Sequence, residues 1–134
     1  TKAIVPKMIA ANHGFIVNIG SIAGKEVYPN GNVYCASKAA VNSLNKAMRI
    51  DLHQYNIRVA AIHPGMVATP FSEIRFKGDT ERANAAYKGY QALQAEDIAD
   101  IIHFVVTRPY HVNIEDLVVY PTAQASATMI QKTI

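Results

Sequence analysis

Apolar positions along the chain change period several times, and the changes mark alternating helices and strands. Over Thr1 to Ala11, the residues Ile4, Met8 and Ala11 fall on one face, which predicts the tail of a helix ended by His13-Gly14. Phe15 to Ile19 is a short, mostly apolar run, the pattern of a parallel strand covered on both faces. Gly20 to Asn32 is rich in Gly, Pro and Asn and reads as a loop. A long helix is predicted from about Val33 to Tyr55. Val41, Leu44, Met48, Leu52 and Tyr55 give it an apolar stripe, and Ala36, Ala40, Ser43 and Ala47 give it a second stripe of small residues. Asn56 is placed to stop it in a left-handed conformation. Ile57 to Ile62 is the next strand, interrupted by Arg58 and closed sharply by His63-Pro64-Gly65.

The stretch from Met66 to Gln94 is irregular, with short helices expected near Phe71 to Phe76 and Asp79 to Tyr90. A connection of this length in a compact domain marks a lid or binding loop. Glu96 and Asp97 suit the first turn of a further helix, where acids oppose the dipole's positive end. Ile98, Ile101, Ile102 and Val105 form its core face, Pro109 stops it, and Leu117 to Tyr120 is a last strand. Strand, helix, strand, helix, strand predicts an α/β fold with two right-handed crossovers and a parallel sheet. Three strands are few for this much apolar helix surface, so the sheet reads as incomplete.

Composition narrows the classes. With half the residues apolar and 17% charged, the 134-residue chain has the makeup of one soluble globular unit. No uncharged stretch is suited to spanning a membrane, and Thr1 to Pro6 lacks a secretory pattern. The lack of an initiating Met suggests a fragment or an incompletely defined chain. The net charge is +3, but the thirteen basic residues are scattered, which disfavours a nucleic-acid partner. A single Cys35 excludes an internal disulfide, suits a reducing cytoplasm, and is read as a packed small residue rather than a nucleophile. The five His residues show no metal-ligand spacing; each is read as a surface or loop residue, and no metal site is expected.

In open α/β sheets, ligands gather beyond the carboxyl ends of the strands. Three polar features fall there: Ser21 after the first strand, Tyr34 and Lys38 opening the long helix, and Pro64-Gly65 with Thr69 after the second strand. Tyr34 and Lys38 are four residues apart and so share a helix face. Alone, such a pair is equally an exposed surface pair. A free phenol titrates near ~10, too weak a base at neutral pH. Bringing one to ~7 takes roughly 4 kcal/mol. A cation about 4 Å away at an effective dielectric of ~20 supplies interaction of that order.

Taken together, Asn18-Ile-Gly-Ser21-Ile-Ala-Gly24, Tyr34-Cys-Ala-Ser-Lys38 and Arg58-Val-Ala-Ala-Ile-His-Pro-Gly65 with Thr69 resemble the short-chain dehydrogenase/reductase pattern in order and spacing. The resemblance runs over nearly the whole chain. It implies the carboxyl-terminal half of a Rossmann-like doubly wound parallel sheet, with residues 1–134 the catalytic part of a single domain. The amino-terminal cofactor-binding half would be absent, since no Gly-x-x-x-Gly-x-Gly loop occurs and the relay asparagine would precede Thr1. The resemblance further implies Tyr34 as general acid/base, Ser21 as the hydroxyl holding the substrate oxygen, and Lys38 as the group acting on Tyr34 and the nicotinamide ribose. Pro64, Gly65 and Val67 would line the nicotinamide, Val67 through its backbone, and Thr69 would stand near the carboxamide and pyrophosphate. Asn18 would support the strand end.

Arg75-Phe-Lys-Gly-Asp79, Arg108-Pro-Tyr-His-Val-Asn-Ile114 and Pro121-Thr-Ala-Gln124 are similar to segments of the NADP-dependent 3-hydroxy acid dehydrogenases. That kinship implies a small hydroxy acid such as serine or allo-threonine as substrate and NADP as cofactor, with NAD not excluded. Arg75 is a candidate to hold the substrate carboxylate, because a guanidinium presents a bidentate fork. The alternative pairs it with Glu73 or Asp79 on a short surface helix. Two other readings stand beside the oxidoreductase: an inert fragment or non-catalytic assembly subunit with the same fold, and, less well supported, a sugar-nucleotide epimerase. The small-residue stripe invites close helix packing, and family members commonly pair this helix across a two-fold axis, so a homotetramer is expected.

Overall fold

The computed structural model of the chain describes residues 1–75 and 77–133, with Ala83 described by its backbone alone. Helix α1 (Val5–Ala11) leads into strand β1 (Gly14–Ile19), and a short 3-10 turn (Ile22–Gly24) precedes the long helix α2 (Asn32–Leu52). Strand β2 (Ile57–Pro64) is followed by α3 (Phe71–Arg75), α4 (Thr80–Ala85), α5 (Ala95–Val106) and strand β3 (Asp116–Val119). The three strands form one parallel sheet in the order β1-β2-β3, in register Ile19↔Ile62 and His63↔Val118.

Two apolar layers enclose β2. On one side Ile57 and Val59 pack with Leu52 of α2 and with Val5, Met8 and Ile9 of α1. On the other, Ala60 and Ile62 pack with Val105, Ile101 and Ile102 of α5. The middle strand is therefore buried at every position except Arg58, while β1 and β3 are only partly covered. Arg58 reaches out of the sheet: its guanidinium donates to the carbonyls of Val106, Arg108 and Val112 and lies 4.2 Å from the Phe15 ring centroid. A charged residue interrupts the apolar strand because it satisfies the carboxyl end of α5, where carbonyls lack helical partners.

Several element ends follow from local chemistry. Asn56 takes the left-handed conformation, φ 54°, after a 3-10 turn that ends α2. Asp79 Oδ1 accepts from Arg82 N and starts α4, and Asp97 accepts from Gln94 N at 2.7 Å and starts α5. The short helix expected over 71–76 spans Phe71–Arg75; Phe76 lies outside the described residues.

Three expectations are corrected. On α1 the packed face is Val5, Met8 and Ile9, whereas Ile4 is half exposed. On α2, Leu44 is 59% exposed, because the neighbouring Asn45 is the residue turned inward, 1% exposed. Asn45 accepts from Asn18 Nδ2 at 2.9 Å and donates to the Glu115 carbonyl, so two hydrogen bonds fix the helix rotation and leave Leu44 outside. His63 is not a surface or loop histidine: it is 0% exposed, on the α2 side of the sheet.

Candidate active site

The polar groups between α2 and the sheet lie along its carboxyl end. Lys38 Nζ donates to the carbonyl of Ile19, the last residue of β1, at 3.1 Å. The same ammonium lies 5.9 Å from the centroid of the Tyr34 ring, one turn earlier on α2. Tyr34 and Lys38 are both half-buried, and α2 buries Cys35 between them. Ser21 follows two residues after Ile19 in extended backbone, φ −172°, and caps the 3-10 turn, its Oγ accepting from Ala23 N at 3.1 Å. That turn rests on α2 at Lys38. A Cβ added to Gly24 would stand 2.6 Å from the Lys38 carbonyl oxygen, so glycine there sets how closely the serine turn approaches the helix.

The Pro64–Thr69 loop is fixed from below. Pro64 is buried, Met66 N donates to Oε1 of the buried Gln124 at 2.9 Å, and Leu93 joins Val67 in an isolated parallel bridge. Val67 O accepts from the Tyr87 hydroxyl at 2.9 Å, and the buried Ser72 hydroxyl lies 2.5 Å from the same phenol. The Val67 carbonyl is thus already engaged within the protein. Gly65 and Thr69 are half-buried on the same loop.

Helix α3 lies against the site. The Phe71 ring lies 5.6 Å from the Tyr34 ring, and the Arg75 guanidinium lies 5.8 Å from the Tyr34 centroid and 5.4 Å from that of Tyr28. Burial raises the Tyr28 phenol above its ordinary range, with Arg75 pulling the other way. The long connection after β2 thus delivers an aromatic ring and a cation to Tyr34. Tyr34 has Lys38 and Arg75 near its ring, and the Ser21 turn rests on α2 at Lys38; Pro64 ends β2, with Gly65, Val67 and Thr69 on the loop that follows.

Two arrangements went unread in the sequence. The Glu26 carboxylate accepts from the Tyr120 hydroxyl at 2.6 Å and from Ala127 N at 2.7 Å, tying the loop after Ser21 to the segment after β3. The Tyr120 bond, then the Ala127 bond, hold Glu26 below the ordinary carboxylate range, while burial and the same bond push Tyr120 up to about 12. The second is His63, whose Nδ1 lies 3.3 Å from the Ser21 carbonyl. Its Nε2 is 3.5 Å from Asp116 Oδ1, and Asp116 Oδ2 pairs with Lys25 Nζ at 2.6 Å. Burial lowers the His63 imidazole below its usual range and outweighs the opposing pull of Asp116, so the contact joins a neutral ring to a carboxylate. A signal was available for His63: a polar residue amid a strand buried on both faces must have a partner.

Two concavities lie elsewhere. A cleft of about 390 Å³ runs between the 3-10 turn and α2 beside Cys35 and Ala39, and another of about 360 Å³ lies at the opposite end of the sheet near Arg49 and Tyr110. Neither is lined by Ser21, Tyr34 or Lys38. Among the described residues no cluster of His, Cys, Asp or Glu is suited to a metal ion, and no helix is long and apolar enough to cross a membrane.

A parallel sheet with a serine turn at the end of one strand, packed on a helix that carries a tyrosine and a lysine one turn apart, defines a class, and residues 1–79 match the short chain dehydrogenase family. The chain belongs to that family. It is 45% identical over 128 residues to an NADP-dependent 3-hydroxy acid dehydrogenase of Escherichia coli, covering 95% of this chain and 52% of that protein. It is also 45% identical to an uncharacterized oxidoreductase of Mycobacterium tuberculosis, covering 96% of this chain and 51% of that protein. Among solved structures, the closed form of a serine dehydrogenase complexed with NADP+ superposes with a TM-score of 0.92 at 42% identity, over 99% of this chain and 54% of the other. The chain spans about half the length of the curated relatives it matches.

Proposed function

We propose that this chain supplies the catalytic part of an NADP-dependent oxidoreductase that converts a small 3-hydroxy acid, such as serine or allo-threonine, to the 3-oxo acid. The observation that carries the reading is Lys38, anchored on the Ile19 carbonyl beside Tyr34, with the Ser21 turn packed against the same helix residue. The pyrophosphate-binding part belongs, on this reading, to an upstream segment about as long as the chain itself, and the 134 residues alone are inactive. NADP rather than NAD is favoured by the names of the relatives.

The residues suit a nicotinamide riboside. An ammonium carries three donors and the Ile19 bond uses one, which leaves Lys38 able to hold ribose hydroxyls. Pro64, Gly65, Val67 and Thr69 offer an uncharged loop, with a hydroxyl at Thr69, to the ring and its carboxamide. A bound nicotinamide supplies the hydride acceptor. Ser21 Oγ already accepts from Ala23 N, so its own proton is directed away from the turn, toward the substrate oxygen. Tyr34 takes the hydroxyl proton as the carbon–hydrogen bond yields its hydride and the carbonyl forms, and returns that proton in the reverse direction.

Arg75 would hold the substrate carboxylate, since α3 already brings its guanidinium to the Tyr34 ring. Steady-state kinetics of the full-length enzyme with NADP+ and serine test the substrate and this role together. Arg75→Ala raises KM for the hydroxy acid about 10- to 100-fold, the cost of losing charge-assisted hydrogen bonds, and leaves kcat within a few-fold. Unchanged KM removes the role; absence of turnover on any 3-hydroxy acid removes the substrate class.

Ala36, Ala40, Ser43 and Ala47 are all exposed along α2, together with Leu44 and Ile50. We assign this face to an isologous contact in a homotetramer working in the cytoplasm. Sedimentation of the full-length enzyme at micromolar concentration shows a tetramer; a monomer refutes the assignment.

A further inference from the structure

His63 stands where three segments meet beneath the serine turn. Its register partner in β3 is Val118, and Asp116, two residues earlier, is on the same face of the sheet. On the other side β1 ends at Ile19, paired with Ile62, so Gly20 lies alongside His63. The approach is close: a Cβ on Gly20 would be 2.4 Å from His63 Nδ1 and 2.7 Å from Cε1. Gly20 N continues the ladder to the Ile62 carbonyl at 2.8 Å, and the next carbonyl, that of Ser21, lies 3.3 Å from Nδ1. The ring is 0% exposed, so bulk solvent does not reach it.

We propose that His63 is a positioning residue for the reaction: a proton on Nδ1 donates to the Ser21 carbonyl and fixes the serine turn on the sheet, while Nε2 faces the Asp116–Lys25 pair. This inference rests on the reading that Ser21 holds the substrate oxygen.

The geometry selects the tautomer. A neutral imidazole carries one N–H. Nδ1 has a well-aligned acceptor in the Ser21 carbonyl, whereas Nε2 has no aligned hydrogen-bond partner, the Asp116 carboxylate being 3.5 Å away. Burial lowers the ring below its usual range, and the cations Lys25 and Lys38 act in the same direction, against Asp116 and the Ser21 carbonyl. With the proton on Nδ1, the serine peptide is held from below at a fixed height above β2. Ser21 Oγ is then aimed by two bonds: the one from Ala23 N to Oγ and the one from His63 to the residue's own carbonyl. Asparagine reproduces Nδ1 geometrically, because its amide nitrogen also follows Cγ; phenylalanine fills the volume without a donor.

The test is steady-state kinetics of the full-length enzyme, with ring nitrogen chemical shifts of the unmodified protein. His63→Phe lowers kcat by about 10- to 100-fold, the scale of a misplacement near 1 Å, with the cofactor KM unchanged within about twofold. His63→Asn restores most of the loss. In a Ser21→Ala background His63→Phe costs nothing further, because both act through one hydroxyl. Nitrogen NMR finds the proton on Nδ1, a readout that does not depend on how well a variant folds. Losses that multiply, an Asn variant as slow as the Phe variant, or a proton on Nε2 would overturn the inference. If Ser21→Ala slows the enzyme and His63→Phe does not, the inference alone fails. If Ser21→Ala runs at full rate, the reading of Ser21 fails, and the inference with it.

Discussion

Tyr34→Phe in the full-length enzyme lowers kcat by ~10²- to 10⁴-fold, the range for removing a positioned general acid/base. The substitution deletes one oxygen and keeps everything else the ring does. Phe71 still packs 5.6 Å away, and Lys38 and Arg75 still lie 5.9 Å and 5.8 Å from the ring centroid. The first turn of α2 loses no hydrogen bond that holds the fold, so thermal stability stays close to that of the parent. Lys38 remains tied to the Ile19 carbonyl, and the Pro64–Thr69 loop is held by Gln124, Leu93 and Tyr87 rather than by Tyr34. Cofactor affinity therefore changes little, and the loss falls on kcat. Measuring kcat with saturating NADP+ and hydroxy acid, alongside cofactor binding by fluorescence, separates the two. A kcat within tenfold of the parent would remove Tyr34 from the chemistry and favour a non-catalytic subunit with this fold.

The parts of the molecule that repeat were legible in the sequence, and the parts that depend on one distant partner were not. Ile98, Ile101, Ile102 and Val105 face the sheet as their spacing demands, because a helix against a flat sheet buries one arc and periodicity encodes that arc. Asn56 stops α2 where a residue tolerant of positive φ was needed. Leu44 was misplaced because hydrophobicity alone rotates α2 toward it, while the Asn18–Asn45–Glu115 bonds rotate it away. Arg58 looked like an interruption and is a cap for a helix about fifty residues later, which no local pattern records. The sequence pattern puts Ser21, Tyr34 and Lys38 near strand ends, and the structure has Lys38 on the Ile19 carbonyl with the Tyr34 ring 5.9 Å away, whereas His63 and Glu26 have their partners in other segments. A buried polar group advertises that it has a partner, but the sequence does not say which.

Gly24→Ala is expected to cost both stability and rate, because the contact it breaks sets the distance between the serine turn and α2. The added methyl would lie 2.6 Å from the Lys38 carbonyl oxygen, 2.7 Å from its carbon and 3.1 Å from Ala39 N. All three are helix backbone, so no side chain can swing aside. Relief requires the 3-10 turn to lift or α2 to shift as a rod, and the turn carries Ser21 while the helix carries Tyr34 and Lys38. Overpacking of this kind costs about 1–3 kcal/mol, which lowers Tm by about 2–10 °C in a domain of this class. The rate falls further than the stability, by up to ~10²-fold, because under the proposed function Ser21 and Tyr34 hold one oxygen and a displacement near 1 Å between them spoils that grip. Differential scanning calorimetry and kcat on the same preparation read the two effects. The contrast with Tyr34→Phe is diagnostic: one variant loses rate at constant Tm, the other loses both. An alanine enzyme with parental Tm and kcat would mean that the turn and the helix do not stand this close when the enzyme works.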